Sequence, residues 1–506
     1  MNPLEGFVTG YLMQNAPVYF ARQLAVIVCI FVFGALLADA LLSKDEKWAR
    51  RCLVAFPAGL SAFAITGYAM LVLGIPYSRL TVCIAVALEA AAAIFVSYRR
   101  GVIFAQRAKI IHMLIALGAA VLLGAVATSG IAPVSVSNDT MYYFKRYPDS
   151  IVHYGMLRDQ FDFFLTDTGL GAVVIDTLPP LFGFGESFGI REMFHLNFIL
   201  FFGVCVYERA KEHAGVRGGV IAAVLISGVL TVSTPFFILG HWALANMYFM
   251  EMFFIAAYSA ADYTDKGRGV TPLLLLALSF FRIEGTLFVV WLVICIAYYT
   301  GIGRKLAVSV MLPMAVMFGG YSVKIFTQFY VLDNIYTFLR PEKAAVLVGV
   351  IVIAGVYIMF IEPRIPEKFA GYLPVAYIGA LALGNVLLFV MNRELYIGNL
   401  KAFYANLFRQ SGWGMMPYFV IAMTLLLAAE YVIRRVRKEK SEVKAYDPFT
   451  MTLAVGFVLI VLAASYGRGD VLSEVVGDSG NRVLLQIVPV VTLLYGEMFV
   501  RMFDRS

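Results

Sequence analysis

The chain has 506 residues, of which 61% are hydrophobic and 14% are charged, and its formal net charge is +7. Soluble domains are about 45–50% apolar and about 25% charged, so this composition excludes an ordinary soluble protein and predicts an all-α polytopic membrane protein. The Lys and Arg residues occur in short clusters between apolar runs, as the positive-inside rule requires, and we infer no nucleic-acid partner.

Residues 1–22 lack the apolar region and small-residue cleavage site of a signal peptide, because polar and aromatic residues interrupt them. We expect an amphipathic segment at the membrane surface that leads into the first span. A bilayer requires roughly 20 apolar residues per helix, and we expect about 13–15 spans, since 270–281 is too short to cross alone. The candidate runs are 23–42, 52–74, 80–98, 109–128, 194–207, 217–238, 242–260, 270–281, 285–300, 306–323, 344–361, 371–391, 416–434, 449–467 and 484–500.

The loops between these runs differ in charge, and this difference predicts their sides of the membrane. Loops rich in Lys and Arg are expected in the cytoplasm, and the long loops that alternate with them are expected outside. Long loops often carry function, which places any chemistry at the external face. The basic segments are 43–51, 99–109, 208–217, 303–305, 362–368 and 434–444. The long loops are 129–193, 324–343 together with 392–415, and 468–483.

The longest external loop also predicts a division of the chain into three parts. We expect an N-terminal helical block with an interfacial segment at 1–108 and a core at 109–330 that contains the loop 129–193. C-terminal transmembrane helices are expected at 331–506.

The first charged stretch in that loop is SVSNDTMYYFKRYP, at 135–148. A carboxylate at Asp139, in a partly desolvated cleft at the membrane surface, is suited to general-base catalysis. Lys145 and Arg146 follow among three tyrosines, a combination that fits an anionic lipid-linked sugar. Two ordinary interpretations stay open: Asp139 caps a short helix, or the basic and aromatic residues only anchor the segment at the membrane surface.

The rest of the loop carries four more acids, and a single histidine lies between two later spans. The acids lack metal-ligand spacing, so we interpret most of them as helix caps and solvated residues. His241 is a secondary candidate for substrate binding, because a lone histidine more often packs or forms a structural hydrogen bond. No motif supports a cofactor, and dependence on a divalent metal stays open. The four acids are Asp159, Asp162, Asp167 and Asp176.

Two arginines stand at unusual places in apolar sequence. Arg282 and Glu284 lie in LSFFRIEGT and interrupt the apolar stretch from 271 to 298, so they must lie at a surface, line a wet cavity or pair with each other. The predicted topology directs them outward, toward Asp139, although they could simply mark the turn of a helix hairpin. Arg482, in GDSGNRVLLQIVP, opens the last span and can hold a phosphate with two parallel hydrogen bonds or extend to lipid headgroups.

These stretches, in this order, resemble the GT-C class of integral-membrane glycosyltransferases. An acid follows early spans in a long outer loop (NDTMYY), an Arg-x-Glu-Gly element interrupts a mid-chain hydrophobic pair (RIEG), and an arginine precedes a Pro-containing last span (NRVLLQIVP). The resemblance implies that Asp139 is the catalytic base and that Arg282 and Arg482 bind phosphate. Two departures from the family pattern are the block 1–108 before the acid and Asn138 in place of the first acid of the usual pair.

The resemblance implies transfer of a sugar from a polyprenyl-phosphate-type donor to a glycan, lipid or protein acceptor of the cell envelope. The protein would be a multi-pass component of a bacterial cell membrane, with membrane lipids as further partners and its active site outside. Lys145, Arg146, His241 and Glu284 would complete the substrate site. Two other functions stay open. A lipid-linked glycan transporter or flippase predicts charged residues near the middle of several spans, and a polysaccharide polymerase or ligase would use arginine and histidine instead of a loop aspartate.

Overall fold

The computed structural model is almost entirely helical, and no strand occurs among the residues it describes. Together with the long apolar helices, this confirms the prediction of an all-α polytopic membrane protein. The residues described are 3–43, 46, 48–102, 118, 145–157, 169–232, 245–261, 269–329, 340–409, 413–437, 446–467, 469, 471–472 and 483–503.

Eight helices in the described part of the chain are long and apolar enough to cross a bilayer. The predicted run 109–128 lies almost wholly outside the described residues, so the expected total of about 13–15 spans stays a prediction. The eight helices are Ala21–Leu41, Ala49–Leu73, Arg79–Arg99, Phe188–Thr231, Gly303–Thr327, Pro341–Arg364, Leu373–Met391 and Pro448–Tyr466, and shorter apolar helices occur at Gly285–Thr300 and Met416–Leu426.

The chain forms two compact units, one of residues 1–201 with 242–363 and one of residues 202–241 with 364–506. We call them unit 1 and unit 2, and the three-part division of the sequence stays a prediction. The helices that begin in unit 1 are α1 (Pro3–Leu41), α2 (Trp48–Leu73), α3 (Arg79–Arg99), α4 (Tyr147–Tyr154), α5 (Leu170–Asp176), α6 (Leu178–Leu181), α7 (Phe188–Val232), α8 (Ala245–Ala261), α9 (Thr271–Leu278), α10 (Gly285–Thr300), α11 (Gly303–Leu306), α12 (Leu312–Phe329) and α13 (Pro341–Val356).

Unit 2 contains the second part of α7 and the C-terminal helices. Some polar side chains inside its apolar helices have partners on neighbouring helices, a common packing mode in membranes. Asn385 Nδ2 donates to the Leu459 carbonyl over 3.1 Å, and the Tyr396 hydroxyl donates to Asn385 Oδ1 over 2.9 Å. The helices are α14 (Glu367–Ala370), α15 (Leu373–Met391), α16 (Arg393–Tyr404), α17 (Met416–Arg437), α18 (Tyr446–Tyr466) and α19 (Val488–Phe503).

Of the eight helices long enough to cross a bilayer, α2 has the largest buried share. The backbones of α1 and α2 are in direct contact at Gly34, where an added Cβ atom would lie 1.7 Å from the Ala55 carbonyl oxygen. Close approach at small residues is a common packing mode of membrane helices. Toward its C-terminal end, Tyr68 stacks on Phe280 with ring centroids 4.2 Å apart. Helix α2 therefore supports the turn that follows α9.

Two helices depart from a simple span. Helix α7 covers the predicted run 194–207 and most of the run 217–238, and it is broken at Gly215, whose φ of 66° is outside helical geometry. Helix α9 has only 8 residues, and the non-helical turn 279–284 separates it from α10. This turn contains the first three residues of the RIEG element, and we call it the RIEG turn.

Segments that the charge pattern assigns to the same side of the membrane contact one another in unit 1. At one end, the Tyr77 amide donates to the Gly155 carbonyl over 2.7 Å. At the other end, Arg100 Nη2 donates to the Leu42 carbonyl over 2.9 Å. These contacts agree with the predicted alternation of the helices, and the assignment of the first end to the exterior rests on the positive-inside rule.

Candidate functional site

Polar and charged side chains of unit 1 gather at the end formed by residues 74–79, 145–157, 169–187, 245–251 and 279–284. We call this the polar end. It contains the described parts of the predicted catalytic loop and the RIEG turn, and hydrogen bonds and backbone contacts join neighbouring segments.

Arg282 is nearly buried and donates hydrogen bonds to two polar side chains. Its Nε donates to Glu284 Oε1 over 2.7 Å, and its two terminal nitrogens donate to Glu284 Oε1 and to Asn246 Oδ1. A charged pair in apolar sequence can lie at a surface, line a wet cavity or pair internally. The structure shows Arg282 and Glu284 paired with each other. The Glu284 carboxylate compensates the charge of Arg282, and Asn246, at the start of α8, orients the guanidinium.

The RIEG turn packs directly against the loop expected to carry catalysis. The Gly171 amide donates to the Phe280 carbonyl over 2.8 Å. A Cβ atom on Gly169 would lie 2.7 Å from the Arg282 backbone nitrogen, and Gly169 has a φ of +85°, which favours glycine. Only a glycine-containing segment can approach the turn this closely. The structure thus joins residues 169–171 of the loop 129–193 to the turn that holds Arg282.

A buried ion pair lies beside this contact. Arg191, near the start of α7, donates from Nε to Asp176 Oδ1 over 3.1 Å and from Nη2 to Oδ2, so the two groups form a fork. The Ser187 hydroxyl donates to Asp176 Oδ1 over 2.5 Å, and the Tyr248 hydroxyl donates to the same atom over 3.1 Å. Asp176 and Arg191 are each 1% exposed. The interpretation of Asp176 as a cap or solvated residue is therefore wrong.

The sequence does not predict this pair, because a segment containing Pro and Gly separates its members and no periodic pattern relates their positions. Burial raises the pKa of Asp176, while the Arg191 guanidinium and the hydroxyl groups of Ser187 and Tyr248 act to lower it. Tyr248 also meets the RIEG turn, with its ring centroid 6.3 Å from that of Phe281. The ion pair and the turn are thus neighbours in one polar cluster.

A second buried pair joins α7 to α8, one helical turn beyond Arg191 on α7 and beyond Tyr248 on α8. His195 Nδ1 is 2.5 Å from Glu251 Oε1, and both residues are buried. Glu251 Oε2 has no hydrogen-bond partner in the described part of the chain. The sequence analysis did not identify this pair. A signal was nevertheless present in the sequence, since Glu251 lies inside the predicted span 242–260. An ionisable residue within a span is a functional candidate by default.

The basic residues that follow the tyrosine-rich stretch lie at the rim of the polar end. Lys145 Nζ is 2.7 Å from Glu186 Oε1, with side chains 46% and 21% exposed, respectively. Gln23 of α1 donates to the Glu186 carbonyl, which ties this rim to the first span. Arg146 is exposed at the start of α4. Lys145 is therefore already engaged by a carboxylate, and a substrate anion would compete with Glu186.

Three predicted site residues, Asp139, His241 and Arg482, lie outside the described residues, so the roles expected for them stay predictions. Arg282, Glu284, Lys145 and Arg146 are described. The structure brings Arg282 and Glu284 together with the predicted catalytic loop, whereas Lys145 pairs with Glu186 at the rim.

No group of three or more His, Cys, Asp and Glu side chains that could hold a metal ion occurs within the described segments. The chain matches no protein-family model, no curated protein and no solved structure.

Proposed function

We propose that this protein is a membrane glycosyltransferase of GT-C type, which moves a sugar from a polyprenyl-phosphate-type donor to a cell-envelope acceptor at the external face of a bacterial membrane. The observation that carries the proposal is the contact between the loop 129–193 and the RIEG turn. Gly169 and Gly171 bring the loop backbone against Phe280 and Arg282.

This contact supports the proposal because transfer requires a base and a phosphate-binding group in one place. Asp139 belongs to this loop, and residues 169–171 of the same loop lie against the turn that carries Arg282. Arg282 is held in position by Glu284 and Asn246, which reduces the conformational cost of binding a phosphate. A guanidinium has five N–H groups, so donors remain for a ligand after these contacts.

In the proposed reaction, Asp139 accepts the proton of an acceptor hydroxyl as its oxygen attacks the anomeric carbon. The bond from that carbon to the phosphate oxygen breaks, and the electron pair leaves with the polyprenyl phosphate. Arg282 and Arg482 stabilise the negative charge that develops on the leaving group. A single displacement inverts the anomeric carbon and requires no covalent intermediate.

The experiment is transfer of radiolabelled sugar from polyprenyl-phosphate donor to the acceptor fraction of membranes that contain the protein. Asp139→Asn should lower the rate about 10²–10⁴-fold, because the base no longer accepts a proton. Asp149→Asn is the matched control, since Asp149 is an exposed aspartate of the same loop and lies in the first turn of α4. Near-normal transfer by Asp139→Asn, with equal expression, would remove the assigned base.

A second function is favoured by a specific observation. The buried His195–Glu251 pair lies within apolar helices, and ionisable groups inside spans are expected of a transporter or flippase for a lipid-linked glycan. Movement of labelled lipid-linked glycan across liposomes containing purified protein tests it. Transport that is lost in Glu251→Gln and kept in Asp139→Asn would favour this function over sugar transfer.

A further inference from the structure

An open cleft of about 450 Å³ lies at the polar end, between the loop from α2 to α3 and the C-terminal end of α4. Its polar lining includes Ser78, Arg79, His153 and Tyr154. No carboxylate is part of this lining, as far as the described residues form it. The described lining therefore offers cationic and hydrogen-bonding groups and no carboxylate that would neutralise them.

Arg79 is exposed, and one described residue accepts a hydrogen bond from its guanidinium. Its Nε donates to the Leu181 carbonyl of α6, which fixes the guanidinium against the wall of the cleft. The terminal nitrogens of Arg79 have no hydrogen-bond partner among the described residues. An arginine with a free pair of terminal N–H groups is suited to two phosphate oxygens.

His153 faces the same space from α4. Its ring packs edge-on against Tyr154 with centroids 4.6 Å apart, and its imidazole has no hydrogen-bond partner in the described segments. The imidazole can donate a hydrogen bond to an anion, and Tyr154 adds an amphipathic wall. The opposite wall begins at Ser78, whose hydroxyl caps α3 by accepting from the Thr81 amide over 3.3 Å.

Exposed apolar side chains surround the cleft. Leu73 and Ile75 precede it, Leu80 follows it on α3, and Met156 follows α4. Helix α3 is itself a candidate span and continues this apolar surface with exposed Ile and Leu side chains in its next turns. A polar pocket with an apolar border at the end of a span fits an amphiphile better than a water-soluble anion.

We propose that this cleft binds the phosphate headgroup of an anionic lipid from the surrounding leaflet. The terminal N–H groups of Arg79 and the His153 imidazole bind phosphate oxygens, and the lipid chains lie along the exposed apolar face of α3. The proposal is independent of sugar transfer, because neither Asp139 nor Arg282 takes part.

The experiment measures binding of phosphatidylglycerol to the purified full-length protein by native mass spectrometry. Phosphatidylcholine serves as the zwitterionic lipid and inorganic phosphate as a soluble competitor. Phosphatidylglycerol should bind more tightly than phosphatidylcholine, and inorganic phosphate should not displace it. Arg79→Gln should weaken the tightest phosphatidylglycerol site about tenfold, and His153→Phe, which keeps a ring against Tyr154, about threefold.

Arg99→Gln is the matched control, because Arg99 lies in the last turn of the same helix at the opposite end, over the Phe95 ring. It should leave the tightest site unchanged. Circular dichroism checks folding, and if Arg79→Gln unfolds, His153→Phe decides the result.

Equal binding by wild type and the folded cleft variants would overturn the proposal. Displacement by inorganic phosphate would assign the cleft to a soluble anion, and equal binding of phosphatidylcholine would exclude recognition of anionic charge. The assay contains no sugar donor, so its outcome does not depend on the proposed glycosyl transfer.

Discussion

Two acid–base pairs of unit 1 have the same kind of chemistry in different surroundings. Asp176 and Arg191 are each 1% exposed, and Asp176 also accepts hydrogen bonds from the Ser187 and Tyr248 hydroxyls. In the Lys145–Glu186 pair, the side chains are 46% and 21% exposed. In each pair the two side chains are in direct contact, but water reaches the Lys145–Glu186 pair and is excluded from the Asp176–Arg191 pair.

The difference shows that desolvation, more than the presence of an ion pair, decides what each pair contributes. Removing one partner of a buried pair leaves a charge that neither water nor protein solvates. At an exposed pair, water replaces the lost partner and salt screens the attraction. The buried pair therefore fixes the structure around the RIEG turn, and the exposed pair is free to exchange its partner for a ligand.

Breaking the buried pair should destabilise the protein most. Asp176→Leu should lower the free energy of unfolding by about 3–5 kcal/mol, because the buried Arg191 loses the carboxylate that accepts two of its hydrogen bonds. Unfolding of the purified protein in detergent measures this loss. The double variant Asp176→Leu with Arg191→Leu should recover most of it, and a single variant as stable as wild type would show that water reaches the pair.

An intermediate effect is expected at the second buried pair. His195→Leu should lower the free energy of unfolding by about 1–3 kcal/mol, because Glu251 then loses the hydrogen-bond partner of its Oε1 atom. The same unfolding measurement applies. Adding Glu251→Leu should restore stability, since the remaining polar group is removed as well. A further loss in the double variant would contradict this account and indicate that the attraction between Glu251 and Arg191 contributes more to stability than the contact with His195.

Substitutions at the rim should matter least. Lys145→Ala should change the free energy of unfolding by less than about 1 kcal/mol, and the change should shrink as salt is added. Glu186→Gln is the complementary variant and should behave alike. A salt-independent loss as large as that of Asp176→Leu would mean that the rim pair is shielded from water, and it would remove the contrast between the two pairs.

Part of the polar end could be predicted from single residues. Arg282 and Glu284 stand out because charges interrupt an apolar run, and the structure indeed pairs them. Glu251 carries the same signal inside a predicted span, and the rule that selects Arg282 applies to it equally. Asp176 interrupts the short apolar stretch LGAVVIDTLPPLF, but a stretch of this length inside a long loop is too short for a span and does not by itself indicate a buried acid. Only the tertiary structure shows that Asp176 is buried and that Arg191 and two hydroxyl groups bind it.

Composition and hydropathy are enough to establish an all-α membrane protein, because apolar runs of bilayer length leave the helix as the structure that satisfies every backbone group locally. They also place most helix ends, since charged loops cannot enter the hydrocarbon region at low cost. Which polar residues meet is a property of the packed helices. Asp176 with Arg191, His195 with Glu251, and Gly169 with the RIEG turn come from different segments, and no local pattern specifies how those segments approach one another.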